Sequence, residues 1–145
     1  MGMYTELNIA VEFKEATPAE VIKALDYMAT AHDEKPTEKD FQMDHPLFKT
    51  DRWDWMLRSG GSAYFDAEPF LSWHQEFGTW RLTVCTNIKN YSGEWEAFLD
   101  FIAPHLETNG YIGTYRYEED DDPTLLYAEA GKILRKTVNK ESNRD

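Results

Sequence analysis

Two sets of side chains in this chain have types and spacings that could do chemistry. The first is the unbroken acidic run Glu118, Glu119, Asp120, Asp121 and Asp122, which follows Tyr115 and Tyr117 closely and precedes Tyr127. Five successive carboxylates offer oxygens to a hard cation, but the run lacks the spaced acids, glycine and distal glutamate of an EF-hand loop. It is then either a solvated turn or a surface for a basic partner, with the tyrosines as the aromatic anchors that interfaces favour. The second set is Asp44, His45 and His74, which would hold a metal or run hydrolysis only if distant parts of the chain bring them together. Between them lie Phe48, Trp53, Trp55, Tyr64, Phe65, Phe70, Trp73, Phe77 and Trp80, interleaved with Asp51, Asp54, Asp66 and Glu68. On one strand, Trp53 and Trp55 would face the same side and line a sugar cleft beside paired carboxylates. As core packing, the same aromatics need no ligand.

Other chemistries find no support. His32, His45, His74 and His105 are scattered without the i, i+4 spacing of a helical zinc site, and the single Cys85 can build neither a thiolate site nor an intrachain disulfide. No glycine pattern that cradles phosphate precedes a helix, so no nucleotide is expected. No cofactor and no metal are expected either. The charge points the same way. Between Asn90 and Gly131 ten acids face the one base Arg116, so this stretch carries most of the formal charge of −12, while five bases and two acids follow from Lys132 onward. Such a field repels nucleic-acid phosphates and attracts a basic protein. No apolar run approaches the roughly 20 residues of a membrane span, and no signal-peptide pattern opens the chain, so a cytoplasmic protein away from membranes is expected. Met1-Gly2 before Met3 reads as an expression remnant.

The elements that must position these residues follow from periodicity. Leu7, Ile9, Val11 and Phe13 alternate with polar or small residues, which predicts a strand with one buried face. Thr17-Pro18-Ala19-Glu20 predicts a helix start capped by Thr17, with Val21, Ile22, Leu25 and Met28 at helical spacing and an end near Ala31. The polar stretch from His32 to Asp44 reads as a loop. Strands are predicted around Trp53 to Leu57 and Ser62 to Phe65, then a hairpin of Phe70 to Phe77 and Thr79 to Asn87 about Gly78. From Glu94 to Leu106 a helix puts Trp95, Phe98, Leu99 and Ile102 on one face and Glu94, Glu96 and Asp100 mostly on the other. Tyr111, Gly113, Tyr115 and Tyr117 alternate along a strand into the acidic run, and Thr124 to Ala128 returns past Pro123, continuing to Val138.

The order is β-α-β-β-β-α-β-β. It predicts an α+β fold, a two-layer sandwich with two helices on one face of a mostly antiparallel sheet, of which the ferredoxin-like arrangement is the nearest named architecture. Residues 1–138 form a single domain and 139–145 a polar, basic tail.

The segments Met3 to Phe13, Asp44 to Trp53 and Tyr115 to Tyr127 resemble stretches of small bacteriophage and prophage proteins. That resemblance brings no activity and no catalytic residues. It implies a class: acidic accessory proteins that bind host or competitor proteins, sometimes by imitating the charge of DNA. The expected function is therefore a non-catalytic interaction module, an anti-defence or accessory protein that binds a basic host surface through Tyr115, Tyr117, Glu118, Glu119, Asp120, Asp121 and Asp122. A small carboxylate and histidine hydrolase or metal-assisted enzyme is the alternative, and a homodimer is a further expectation.

Overall fold

The computed structural model describes residues 4–30, 44–59 and 69–138. Strands β1 (Tyr4–Glu12), β2 (Phe70–His74), β3 (Thr79–Lys89), β4 (Gly110–Tyr117), β5 (Thr124–Glu129) and β6 (Lys132–Thr137) form one sheet in the order β2-β3-β1-β4-β5-β6. Every neighbouring pair is antiparallel. Helices α1 (Ala19–Ala29) and α2 (Glu94–Ile102) lie on one face, so the fold is the α+β two-layer arrangement that the periodicity predicts. The chain leaves β1 through α1 and returns at β2, leaving room for β3 between them, and then crosses through α2 to β4 on the far side of β1. This is the split β-α-β order of a ferredoxin-like sheet, extended at one edge by the β5-β6 meander.

One stripe of each element is apolar, and the stripes meet in a single core. Leu7, Ile9, Val11, Phe13, Leu25, Val84, Trp95, Phe98, Leu99 and Ile102 all belong to it. Trp95 is fully buried, and its indole N–H donates to the Thr5 carbonyl at 2.8 Å, so the largest side chain of the core leaves no orphan donor. On β4, Gly113 has a φ of 153°, and a Cβ there would stand 1.9 Å from the Asn8 carbonyl oxygen on β1. The close approach of two backbones therefore requires glycine at this position.

The element order departs from expectation in two places. Trp53 to Leu57 is not a strand: Pro46–Lys49 and Met56–Arg58 are short 3₁₀ turns joined by a bend, so Trp53 packs edge-on against Phe48 at 4.9 Å while Trp55 turns outward. The predicted strand from Ser62 to Phe65 lies outside the described residues. At the other end, Lys132–Thr137 is a strand of its own that folds back on β5 at Ala130-Gly131, both with positive φ. Three smaller corrections have local causes. Pro18, extended at ψ 142°, takes the cap position of α1, so the Thr17 hydroxyl lies outside the helix and donates to the Lys14 carbonyl at 2.6 Å instead. Pro104 ends the α-helical pattern of α2 at Ile102 and leaves a 3₁₀ turn over Ala103–His105. A bulge between Tyr111 and Gly113 shifts the register, so Tyr111 faces away from the helices while Tyr115 and Tyr117 face toward them.

Phe98 has no exposed surface. Replacing it with Ala should lower unfolding stability by about 3 to 5 kcal/mol in urea denaturation. A loss below about 1 kcal/mol would place Phe98 outside the close-packed layer.

Candidate functional site

The acidic run occupies the turn between β4 and β5, and local bonds hold it in shape. The Asp120 amide donates to the Tyr117 carbonyl at 2.9 Å, and the Tyr117 amide donates to the Asp120 carboxylate at 3.3 Å. Glu118 is clamped to the start of β1: its amide donates to the Tyr4 carbonyl at 2.9 Å, and its carboxylate accepts from the Tyr4 amide. Glu118, Glu119, Asp120 and Asp121 are exposed, and Asp122 is half-buried beside Pro123. The structure thus gathers all five acids at one end of the sheet on an ordered turn.

The two tyrosines differ. Tyr117 stands beside the acids, and partial desolvation followed by the carboxylates of Glu119 and Glu118 raises its phenol pKa above the ordinary value. Tyr115 is committed to α2. Its hydroxyl donates to Glu96, whose other oxygen accepts from the Asn90 side-chain amide at 2.8 Å, and the Arg135 guanidinium lies 5.1 Å over the tyrosine ring and 3.7 Å from Glu96. Burial and then the Glu96 carboxylate push Tyr115 up to about 12. For Glu96 burial alone would raise the pKa, but the bonds from Tyr115 and Asn90, with Arg135 nearby, outweigh it and hold the carboxyl below its usual value.

The second candidate set is only partly assembled. Asp44 and His45 line an open groove of about 800 Å³ between the start of α1 and the end of α2, together with Glu20, Asp100, Phe101 and His105. His74 is not there; it ends β2, opposite Thr79 at the far edge of the sheet. His45 Nε2 lies 3.2 Å from an Asp100 carboxylate oxygen, while Nδ1 accepts from the Leu47 amide at 3.1 Å. With Nδ1 taken up by that amide, Nε2 is the nitrogen that faces Asp100. His105 carries a lowered pKa through burial and the nearby Lys14. Among the described residues no three His, Cys, Asp or Glu side chains are placed to hold a metal ion. Trp53, Trp55 and Asp54 do not form one wall of a cleft, since Asp54 is buried and Trp53 packs on Tyr27 and Phe48 while Trp55 is exposed; Asp66 and Glu68 lie outside the described residues.

Sequence reasoning missed one charged pair. Glu94 is not on the solvent side of α2 but fully buried, 3.1 Å from Arg52, and its other oxygen accepts from the Ser92 amide at 3.1 Å. A glutamate in the first turn of a helix is an ordinary sequence signal, and nothing local announces a partner that far away in the chain. No family model matches this chain, and neither the curated proteins nor the solved structures contain a match to it. Among the described residues no helix is long and apolar enough to cross a membrane.

Because the folded pKa of Tyr115 is raised, its contribution to stability is complete below about pH 10 and fades as pH rises toward 12. Titration of tyrosinate absorbance should show one phenol ionising near pH 12, and Tyr115→Phe should abolish that step. A Tyr115→Phe titration that superimposes on that of the parent protein would remove Tyr115 from the Glu96 network.

Proposed function

We propose that this protein is a non-catalytic interaction module that presents the Glu118 to Asp122 turn to a basic surface of another protein. The observation that supports this reading best is the set of bonds that holds the turn in shape. Four exposed carboxylates sit on a hairpin clamped to β1 through Tyr4 and closed on itself through Tyr117 and Asp120. Charge on an ordered scaffold needs little further ordering when a partner arrives, which keeps the entropic cost of docking low. Clustered carboxylates raise the encounter rate with a basic surface, and Tyr117 beside them adds apolar area to the contact. Tyr115 serves behind them, bracing β4 against α2. The resemblance to phage and prophage proteins favours a nucleic-acid-binding host or defence protein as the owner of that surface.

Hydrolysis lacks comparable support. His45 Nδ1 is bonded to a backbone amide and His74 stands on another edge, so the histidines that the sequence offers for hydrolysis are not brought together.

The test uses amide isosteres, which keep the internal hydrogen bonds of the turn while removing its charge. Glu118→Gln, Glu119→Gln, Asp120→Asn, Asp121→Asn and Asp122→Asn combined should leave the melting temperature near that of the parent protein. Affinity capture from a bacterial lysate should recover a basic protein with the parent chain and lose it with the combined variant, and association should slow several-fold with a flatter salt dependence. Equal capture and equal salt dependence for the two proteins would defeat the proposal.

A further inference from the structure

The sheet has a second face, which no described element covers. Tyr4, Phe70, Tyr111 and Leu134 are exposed on it, and Phe77 joins them from the β2-β3 turn. These are five of the nine large hydrophobic side chains that the described residues leave exposed, so exposure of this kind is concentrated and not scattered. Between the aromatic margins the centre of the face carries small side chains: Asn8 pairs with Cys85 on one side and Thr114 on the other, and Ala10 pairs with Thr83. The Asn8 side-chain carbonyl oxygen is buried with no hydrogen-bond partner.

The charge on this face is the opposite of the charge on the molecule. Over its paired length Arg81, Lys89, Arg116, Lys132 and Lys136 outnumber Glu6, Glu12 and Glu129. Three of these bases lie over aromatic rings: Arg81 at 5.1 Å from Phe77, Lys89 at 5.8 Å from Tyr4 and Lys136 at 4.4 Å from Tyr127. Cations already stacked on rings keep a favourable contact when water leaves, so the face is cheaper to dry than its charge count suggests. Two copies of a chain with a formal charge of −12 repel each other overall. This face, with more bases than acids, does not add to that repulsion, and its mixed signs can pair across a two-fold axis.

From these observations we infer that the sheet face left open by the described residues is a homodimer interface, joining two copies face to face about a two-fold axis. The area suits it. Strands of 9, 5, 11, 8, 6 and 6 residues tile about 700 Å² at roughly 3.3 Å per residue and 4.8 Å between strands. A stable interface takes about 800 Å² from each partner. A self-matching patch is what a two-fold contact demands, and the acidic turn at one end of the sheet remains outside the contact.

The experiment is sedimentation equilibrium of the full chain at about 100 µM, above the micromolar end of the affinities found for interfaces of this size. The expected mass is twice the 16.9 kDa of the chain. Ala10→Glu in the centre of the face and Tyr111→Asp at its margin should each shift the mass to that of one chain, with far-ultraviolet circular dichroism unchanged. Two variants at separate places guard against one that misfolds. The variant with the acidic turn converted to amides should stay dimeric, which separates this inference from the proposed function of the turn. A parent chain of single mass, or a dimer that survives both face substitutions in folded form, would overturn it.

Discussion

Glu94 is a carboxylate with no contact with water, and the region around α2 is arranged to keep it there. Removing one partner from a buried ion pair commonly costs about 3 to 5 kcal/mol, so Arg52 has to be in place for α2 to dock as it does. Arg52 belongs to the bend between two 3₁₀ turns, and its stacking on Tyr91 at 5.5 Å ties that bend to the loop before the helix. Ser92 adds a bond from its hydroxyl to Asp51 at 3.1 Å. The first part of the segment from Asp44 to Ser59 thereby lies against α2, held by Arg52 and at its start by His45, which bonds Asp100 and packs edge-on against Phe101 at 5.2 Å, while Met56–Arg58 packs on β3 and α1. The groove beside His45 is a by-product of this arrangement as much as a site: its histidine is a cap for the turn that begins at Pro46.

A second network ties the other side of α2 to the sheet. Glu96 gathers Tyr115 from β4, Asn90 from the preceding loop and Arg135 from β6. The Asn90 side-chain oxygen also accepts from the Trp95 amide at 2.9 Å, which supplies the helix start with the cap that Gly93, in left-handed conformation, lacks a side chain to give. One asparagine therefore serves the helix terminus and the carboxylate together. The strand that carries the acidic turn is held through this network, so the geometry of the turn and the seating of α2 are not independent.

Much of the fold was legible because its signals are local. Period-two alternation marks β1, helical spacing marks α1 and α2, and the hydrophobic side chains expected to meet do meet. Local signals fail where long-range partners decide. Trp53 and Trp55 have the spacing of a strand, yet Trp53 finds Phe48 and Tyr27, and the chain bends to reach them. Glu94 reads as a solvated first-turn acid until Arg52 is brought beside it. The bulge in β4 reverses the facing of Tyr111, and the glycine that marks it looks like any other small residue until the Asn8 backbone is seen against it. The five acids could be placed on a turn from their own sequence, whereas the role of Tyr115 depended on Glu96 and Arg135.

The position of β1 carries a kinetic consequence. It is the first strand in the chain, yet it sits between β3 and β4, whose partner residues lie from Arg81 to Lys89 and from Gly113 to Tyr117. The β4-β5-β6 meander can close by itself through short turns, but β1 must hold both edges open until distant chain arrives. Pairing of such high sequence separation slows folding, since the entropy of closing long loops is spent before any contact is made. During synthesis the stretch Leu7, Ile9, Val11 and Phe13 therefore waits without its sheet partners until Arg81 to Lys89 and Gly113 to Tyr117 have been made.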